Sequence, residues 1–444
     1  MCNGTIMDKL ISFSIPLMLS GILQLMFNAV DIVVVGRFSG SQALAAVGST
    51  TALINVFTNL FIGISLGANV LAARYYAAGK TKEMSETVHT AIALALVSGV
   101  AMAVIGVVFA RGALEIMGTP DDVIAKSTLY MRIYFCGMPF FMMYNYGAAI
   151  LRAVGDTKRP LIFLIVSGVI NAVLNLFLVI VFHLDVAGVG IATVISQLVS
   201  CILVLRCLHH TESSYQLHLA KLRIRSVYLK QIFEVGVPAG IQSTVINISN
   251  AMLQSSVNSF GSIAMAGYTA ANNIFGFLYV TVNAVTQACM SFTSQNYGVG
   301  KWKRMDRVLI DCLILSFAAM MILGNSAYFF GPKLLTIYTS NSKVIQCGME
   351  ILLYTTVTYF LCGFMDLFPG ALRGMGRSGV PMILSIIGTV GTRIVWIFWI
   401  FPNHRSLDIL FISYPASWII TIVLQVICYY FVRKQLYAKM RAEA

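Results

Sequence analysis

Leu151-Arg152-Ala153-Val154-Gly155, followed by Pro160, returns 221 residues later as Leu372-Arg373-Gly374-Met375-Gly376, followed by Pro381. At the same offset Tyr76, Gly79, Lys80 and Met84 match Tyr297, Gly300, Lys301 and Met305, and Val123-Ile124 matches Val344-Ile345. One residue off that register, Pro16 matches Pro238 and Asn28 matches Asn250. Self-similarity at half the length of a 444-residue chain means two like units in tandem.

Composition says what kind of units they are. The chain is 58% hydrophobic and only 11% charged, against about 45–50% apolar and about 25% charged in soluble domains. A water-soluble fold of this length could not hide that much apolar surface, so the bilayer is part of its solvent. Disorder, collagen-like repeats and a disulfide-stapled secreted module are excluded by the same numbers.

Twelve apolar stretches recur, at 10–35, 43–72, 88–110, 127–151, 161–182, 187–206, 231–257, 263–293, 308–330, 348–372, 382–400 and 409–432. Each is long enough to cross roughly 30 Å of hydrocarbon as a helix. They are too continuous for barrel strands, which alternate. The sequence therefore predicts an all-α polytopic membrane protein. Its predicted parts are an N-lobe of six helices (1–206), a cytoplasmic linker (207–228) and a C-lobe of six helices (229–444). An even number of crossings per lobe gives both the same orientation, related by a pseudo-two-fold axis along the membrane normal, with a substrate path between them. No room remains for a soluble catalytic domain.

The net charge of +13 orients the chain. With the N-terminus inside, 22 of the 30 Lys and Arg fall at cytoplasmic ends and loops, six outside, and Arg132 and Arg393 within spans. That asymmetry places both termini in the cytoplasm of a multi-pass plasma-membrane protein, and it makes nucleic acid an unneeded partner. The first span is too long for a signal peptide and lacks a small-residue cleavage site, so it reads as a retained helix. The nine cysteines are odd in number, mostly intramembrane and without a C-x-x-C pair, and read as small core residues. His209, His210 and His218 read as part of a solvated linker in preference to a metal cluster. No cofactor is implied: the sequence holds no Walker lysine loop, no H-E-x-x-H and no G-x-S-x-G with triad partners.

Only Asp31 and Asp366 are acids well inside spans, where an ionisable group is a functional hypothesis by default. Gln24, Asn28 and Asp31 share one face of the first helix by their i, i+4, i+7 spacing. Asn171 and Asn175 share a face of the fifth, and Thr193 and Gln197 lie one turn apart in the sixth. At ~1.5 Å per residue, Asp31, Asn175 and Thr193 all fall roughly 10 Å below the outer surface. One carboxylate, two amides and a hydroxyl at one depth suit a hard monovalent cation such as Na+, the only metal ion suggested. A partly desolvated carboxylate can equally take up a proton. For Asn171, Asn175 and Thr193 taken singly, hydrogen bonding between helices is the alternative.

The second half differs. Ser243, Asn247, Asn250 and Gln254 make a polar but uncharged face on the seventh helix, suited to a wet cavity, and Leu253 stands where Asp31 would be. Asp366 and Arg393 are within reach of a structural ion pair. Pro16 and Pro238 occupy equivalent places in the first helix of each lobe, where proline permits a hinge.

These residues resemble the multidrug and toxic compound extrusion (MATE) transporters along the whole chain. The resemblance rests on twelve helices in two lobes, on Asp31-Ile-Val-Val-Val-Gly36-Arg37 followed by Ala43-Leu-Ala-Ala-Val-Gly48, and on the paired Leu-Arg-x-x-Gly turns. Within the family the chain is most similar to the DinF-like branch, in which a proline stands fifteen residues before the first-helix aspartate, as Pro16 does here. The resemblance implies an N-lobe cation site at Asp31, Asn171, Asn175 and Thr193. Many members carry Asp where this chain has Asn175, which leaves Asp31 as the only carboxylate. The C-lobe acids of the other branches have apolar equivalents here, or Cys362.

The implied function is secondary active efflux of small, amphipathic, often cationic compounds in exchange for inward H+ or Na+. It implies alternating access, Asp31 as the coupling group, and a chain that works as a monomer. A flippase of a lipid-linked cell-envelope precursor is the nearest alternative, and a membrane-embedded enzyme a more distant one.

Overall fold

The computed structural model describes residues 1–443, apart from the side chains of Ser41, Ala52 and residues 439–443. Lys439 and Arg441, counted above among the cytoplasmic cations, therefore lie outside the described side chains. The described backbone is helical nearly throughout. The elements are α1 (Met7–Phe38), α2 (Gly40–Ala77), α3 (Thr81–Ile116), α4 (Asp121–Cys136), α5 (Met138–Ala153), α6 (Lys158–Leu176), α7 (Asp185–His209) and α8 (Ser226–Asn258). They continue with α9 (Ser262–Gly298), α10 (Trp302–Phe329), the short α11 (Gly331–Thr336), α12 (Ser342–Thr356), α13 (Tyr359–Gly374), α14 (Gly379–Ser385), α15 (Thr392–Val395) and α16 (Leu407–Glu443).

Nine spans among the described residues are long and apolar enough to cross a membrane alone, and α12 with α13, bent by 44°, makes a tenth. The other two expected crossings are α4 with α5, interrupted at Gly137, and α8, whose polar face dilutes its apolar character. The break at Gly137 and the break before Tyr359 fall at the same point of the repeat.

The repeated motifs take the same local structure. After α5, Gly155 donates to the Arg152 carbonyl and Asp156 to that of Leu151; after α13, Gly376 donates to Arg373 and Arg377 to Leu372. These are helix C-terminal caps, which need a left-handed residue. Gly155 (φ 101°) and Gly376 (φ 82°) supply it, as do Gly79 (φ 68°) and Gly300 (φ 69°) after α2 and α9.

The chain divides into two compact units, but not at the linker. One is Leu19–Gly240; the other is Met1–Met18 with Ile241–Ala444. The sequence placed the divide at 207–228, and glycine packing accounts for the difference. Gly63-x-x-x-Gly67 on α2 meets Gly236-x-x-x-Gly240 on α8 within the first unit. A Cβ on Gly63 would lie 2.3 Å from Gly240 Cα, and one on Gly67 would lie 2.1 Å from the Ile232 carbonyl oxygen. Small residues let helices in lipid approach until their backbones touch. The start of α8 therefore packs with the unit that precedes it. In the other unit Leu10, Phe13 and Leu17 of α1 pack into a core with Ala284, Ala288 and Phe292 of α9.

The linker is not loose. Glu86 of α3 accepts Arg223 Nη2 at 2.6 Å and Arg225 Nε at 3.1 Å. The His218 amide donates to His89 Nε2 at 3.1 Å, and Leu217 is fully buried. His209 and His210 are exposed, as expected of a solvated linker, whereas His218 is half-buried, and His209 Nδ1 donates to the Leu217 carbonyl at 2.9 Å. No cluster of three or more metal-ligating side chains occurs among the described residues.

Candidate ion site

α1, α6 and α7 bring four of the expected residues into one hydrogen-bonded row. Phe27 of α1 lies over Gly168 of α6, where a Cβ would collide with the ring, so the two helices meet closely. One turn further along α1, Asp31 Oδ1 accepts a hydrogen bond from Asn175 Nδ2. The same Nδ2 donates to Asn171 Oδ1 at 3.2 Å. Asn171 Nδ2 reaches Thr193 Oγ1 at 3.5 Å, and Thr193 returns its proton to the Val189 carbonyl. Asn175 is fully buried and Asn171 nearly so.

Two acceptors at this site have no partner: Asn175 Oδ1 and Gln197 Oε1, both buried. A buried carbonyl oxygen without a donor costs free energy unless a cation or water meets it. The remainder of the pocket is phenolic. Tyr130 and Tyr134 of α4 lie within electrostatic reach of Asp31. Sequence reasoning passed over both tyrosines. Their one-turn spacing in an apolar span was the available signal, and it does not distinguish pocket from core. Past Asn175, residues Phe177–Val181 form a π-helical turn, a rare distortion often found at functional sites.

The MatE family model matches the chain twice, over residues 16–177 and 238–399, once on each half. The chain belongs to the MATE family. Among its relatives is the "probable multidrug resistance protein YoeA" of Bacillus subtilis, 29% identical over 95% of this chain and 93% of that protein. Another is the "multidrug export protein MepA" of Staphylococcus aureus, 21% identical over 87% of this chain and 85% of that one. Two solved structures share the fold at 20% identity and TM-score 0.89, each covering 99% of this chain and 97% of its own. One is a MATE protein in a bent conformation, the other an outward-facing multidrug resistance MATE transporter. This MATE chain is thus a multi-pass helical membrane protein of two six-helix lobes, and the relatives named above are multidrug resistance and multidrug export proteins.

The other expected residues lie outside that row. Gln24 and Asn28 are exposed on α1, outside the hydrogen-bonded row. On α8 Ser243 and Asn247 are exposed, Gln254 is half-buried, and Asn250 is bonded to Arg393. Pro16 and Pro238 lie within α1 and α8. The Asp366–Arg393 ion pair does not form. Asp366 feels Arg373, seven residues on along α13, while Arg393 is held by neutral oxygens. Arg373 itself donates to Gln242 at 2.7 Å. The sequence estimate weighed reach alone, whereas the hydroxyls and amide of α8 and α16 lie nearer the guanidinium.

Proposed function

We propose that this chain is a secondary active exporter of amphipathic, often cationic compounds, exchanging them for inward H+ or Na+ through alternating access. Asp31 is the coupling carboxylate. The observation that carries this reading is the row Asp31–Asn175–Asn171–Thr193 beside the unpartnered Asn175 oxygen. The names of the relatives, multidrug resistance and multidrug export, support export of drugs.

The chemistry follows from the donor set. With the Asn175 N–H on Asp31, the carboxylate is satisfied without a cation. A half-turn of the amide presents its free oxygen instead, giving carboxylate, amide and hydroxyl oxygens suited to Na+. A proton on Asp31 would likewise replace the Asn175 donor. In either case the ion changes how α1 is tied to α6. A ligand shifts a conformational equilibrium only by its differential affinity for the two states. One charge moving down 100 mV supplies about 2.3 kcal/mol, enough for about fifty-fold accumulation. The basic cytoplasmic loops put both termini inside, in the plasma membrane, and each chain works as a monomer.

The test is efflux of a fluorescent cationic dye from proteoliposomes under an imposed pH or Na+ gradient. Wild-type protein should respond to one gradient, which identifies the ion, and Asp31→Asn should abolish that response. Efflux that ignores both gradients, or that survives the substitution, overturns the reading.

A further inference from the structure

The ion site of the first half has a counterpart in the second, with the opposite charge. At the 221-residue offset Thr193 matches Tyr414 and Asn171 matches Thr392, next to Arg393; one residue off, Asn28 matches Asn250. Tyr414, Arg393 and Asn250 come together. Arg393 is 3% exposed, and its Nη1 donates to Asn250 Oδ1 at 2.7 Å and to Ser249 Oγ at 3.5 Å. Its Nε donates to Ser417 Oγ at 3.4 Å. Its Cζ lies 4.8 Å from the centre of the Tyr414 ring, whose hydroxyl shares a 2.8 Å hydrogen bond with that of Tyr268.

Every one of these groups is neutral. Among the described residues no carboxylate lies within ion-pair distance of Arg393, and its Nη2 makes no hydrogen bond. A buried cation without a counter-charge is costly in a membrane protein, and such residues mark ligand paths. A second feature marks the same place. π-Helical turns at Ile386–Gly391 and Trp396–Ile400 flank the residue on both sides, as one follows Asn175 in the first half. Such turns break the regular backbone where a helix carries a functional side chain.

We propose that the second half holds an anion site on Arg393, which takes the carboxylate group of an amphipathic compound. The guanidinium matches a planar carboxylate, with Nη2 free to donate. The aromatic face of Tyr414 and the tyrosyl hydroxyl pair suit the apolar body and polar edge of such a ligand. A lipid phosphate is the wrong source. Arg393 lies twelve residues past Pro381 and seven before the span's end at 400, roughly 18 Å and 10 Å from the two ends at ~1.5 Å per residue, which is below headgroup depth from either side. The duplicated fold thereby offers one half to a cation and the other to an anion, which extends the substrates of the proposed exporter to anionic and zwitterionic compounds.

The inference rests on the export reading only for the fate of the ligand, because binding to Arg393 requires no gradient. The test is fluorescence titration of the purified protein, in nanodiscs of zwitterionic lipid, with 1-pyrenebutyrate and with its uncharged amide. Wild-type protein should bind the acid at least tenfold more tightly than the amide. Arg393→Gln should remove that preference while leaving the amide unchanged. Arg393→Lys, which keeps the charge but not the fork, should cut the preference several-fold and covers the case in which the glutamine variant does not fold. Equal binding of acid and amide to wild-type protein, or a preference that survives Arg393→Gln, overturns the proposal. Failure of gradient-driven efflux would leave this titration unaffected and would overturn the export reading alone.

Discussion

Asp31 Oδ1 accepts its hydrogen bond from Asn175 Nδ2, so the one carboxylate of the candidate ion site is held by a neutral amide from another helix. The same nitrogen also serves Asn171, while the Asn175 oxygen has no donor. A single residue therefore sets both the donor that satisfies Asp31 and the acceptor a cation would need. Asn175→Ala removes both at once. Gradient-driven dye efflux should fall at least tenfold in proteoliposomes, with the melting temperature within a few degrees of wild type. Unchanged efflux would show that Asn175 only joins helices.

Gly63 and Gly240 touch backbone to backbone, and no side chain fits between them. Overpacking a close seam costs about 1–3 kcal/mol. Gly240→Leu should lower the thermal midpoint of the purified protein by several degrees. Gly112, on the exposed side of α3, has open space around a Cβ. There Ala improves helix propensity by about 0.5–1 kcal/mol, so Gly112→Ala should leave the midpoint level or raise it. A Gly240→Leu protein that melts with wild type would mean the seam is looser than its geometry.

Much of this was legible in the sequence, for identifiable reasons. Hydrophobic run length fixes helical spans because a bilayer leaves no other way to satisfy the backbone. The Leu-Arg-x-x-Gly repeat was readable because Gly155 and Gly376 must take positive φ. Asp31 stood out because an acid in lipid is rare, and its partners followed from depth. Partner choice over longer reach was not legible. Asp366 and Arg393 were assigned to each other as opposite charges, yet Arg393 found Asn250, Ser417 and Tyr414 nearer. The division of α8 between units was equally hidden, since Gly63-x-x-x-Gly67 and Gly236-x-x-x-Gly240 each mark a close-packing face but do not say which helix it meets.

Glu86 ties the linker to α3 through two arginines, each about half exposed. Exposed pairs contribute little singly, and a shared carboxylate makes this one a small network. Glu86→Gln should speed amide hydrogen exchange across residues 217–225 several-fold and leave α3 beyond residue 95 unchanged. The linker should also respond to acid. Burial, followed by the charge of Lys221, holds the His218 imidazole below its ordinary value. A depressed value means that folding favours the neutral ring, so the docked linker is fully stabilised above the ordinary imidazole range. That stability is lost as pH falls through the lowered value. Protection factors for residues 217–225 should therefore drop between about pH 7 and pH 5. Protection independent of both pH and Glu86 would remove the network from the account.

Pro16 and Pro238 each stand two residues before the point where their helix changes units: α1 after Met18, α8 after Gly240. A proline inside a helix lacks the N–H for one ladder bond and clashes with the carbonyl four residues back, which concentrates bending at that turn. If transport needs α1 to bend there as Asp31 gains and loses its ion, restoring the ladder should slow the cycle without removing the ion site. Pro16→Ala should reduce gradient-driven efflux at least fivefold while dye binding at equilibrium changes less than twofold, and Pro238→Ala should behave likewise. Full-rate efflux in both variants would reduce the two prolines to static features of helices that already fit their neighbours. A parallel loss of binding would assign Pro16 to the site itself.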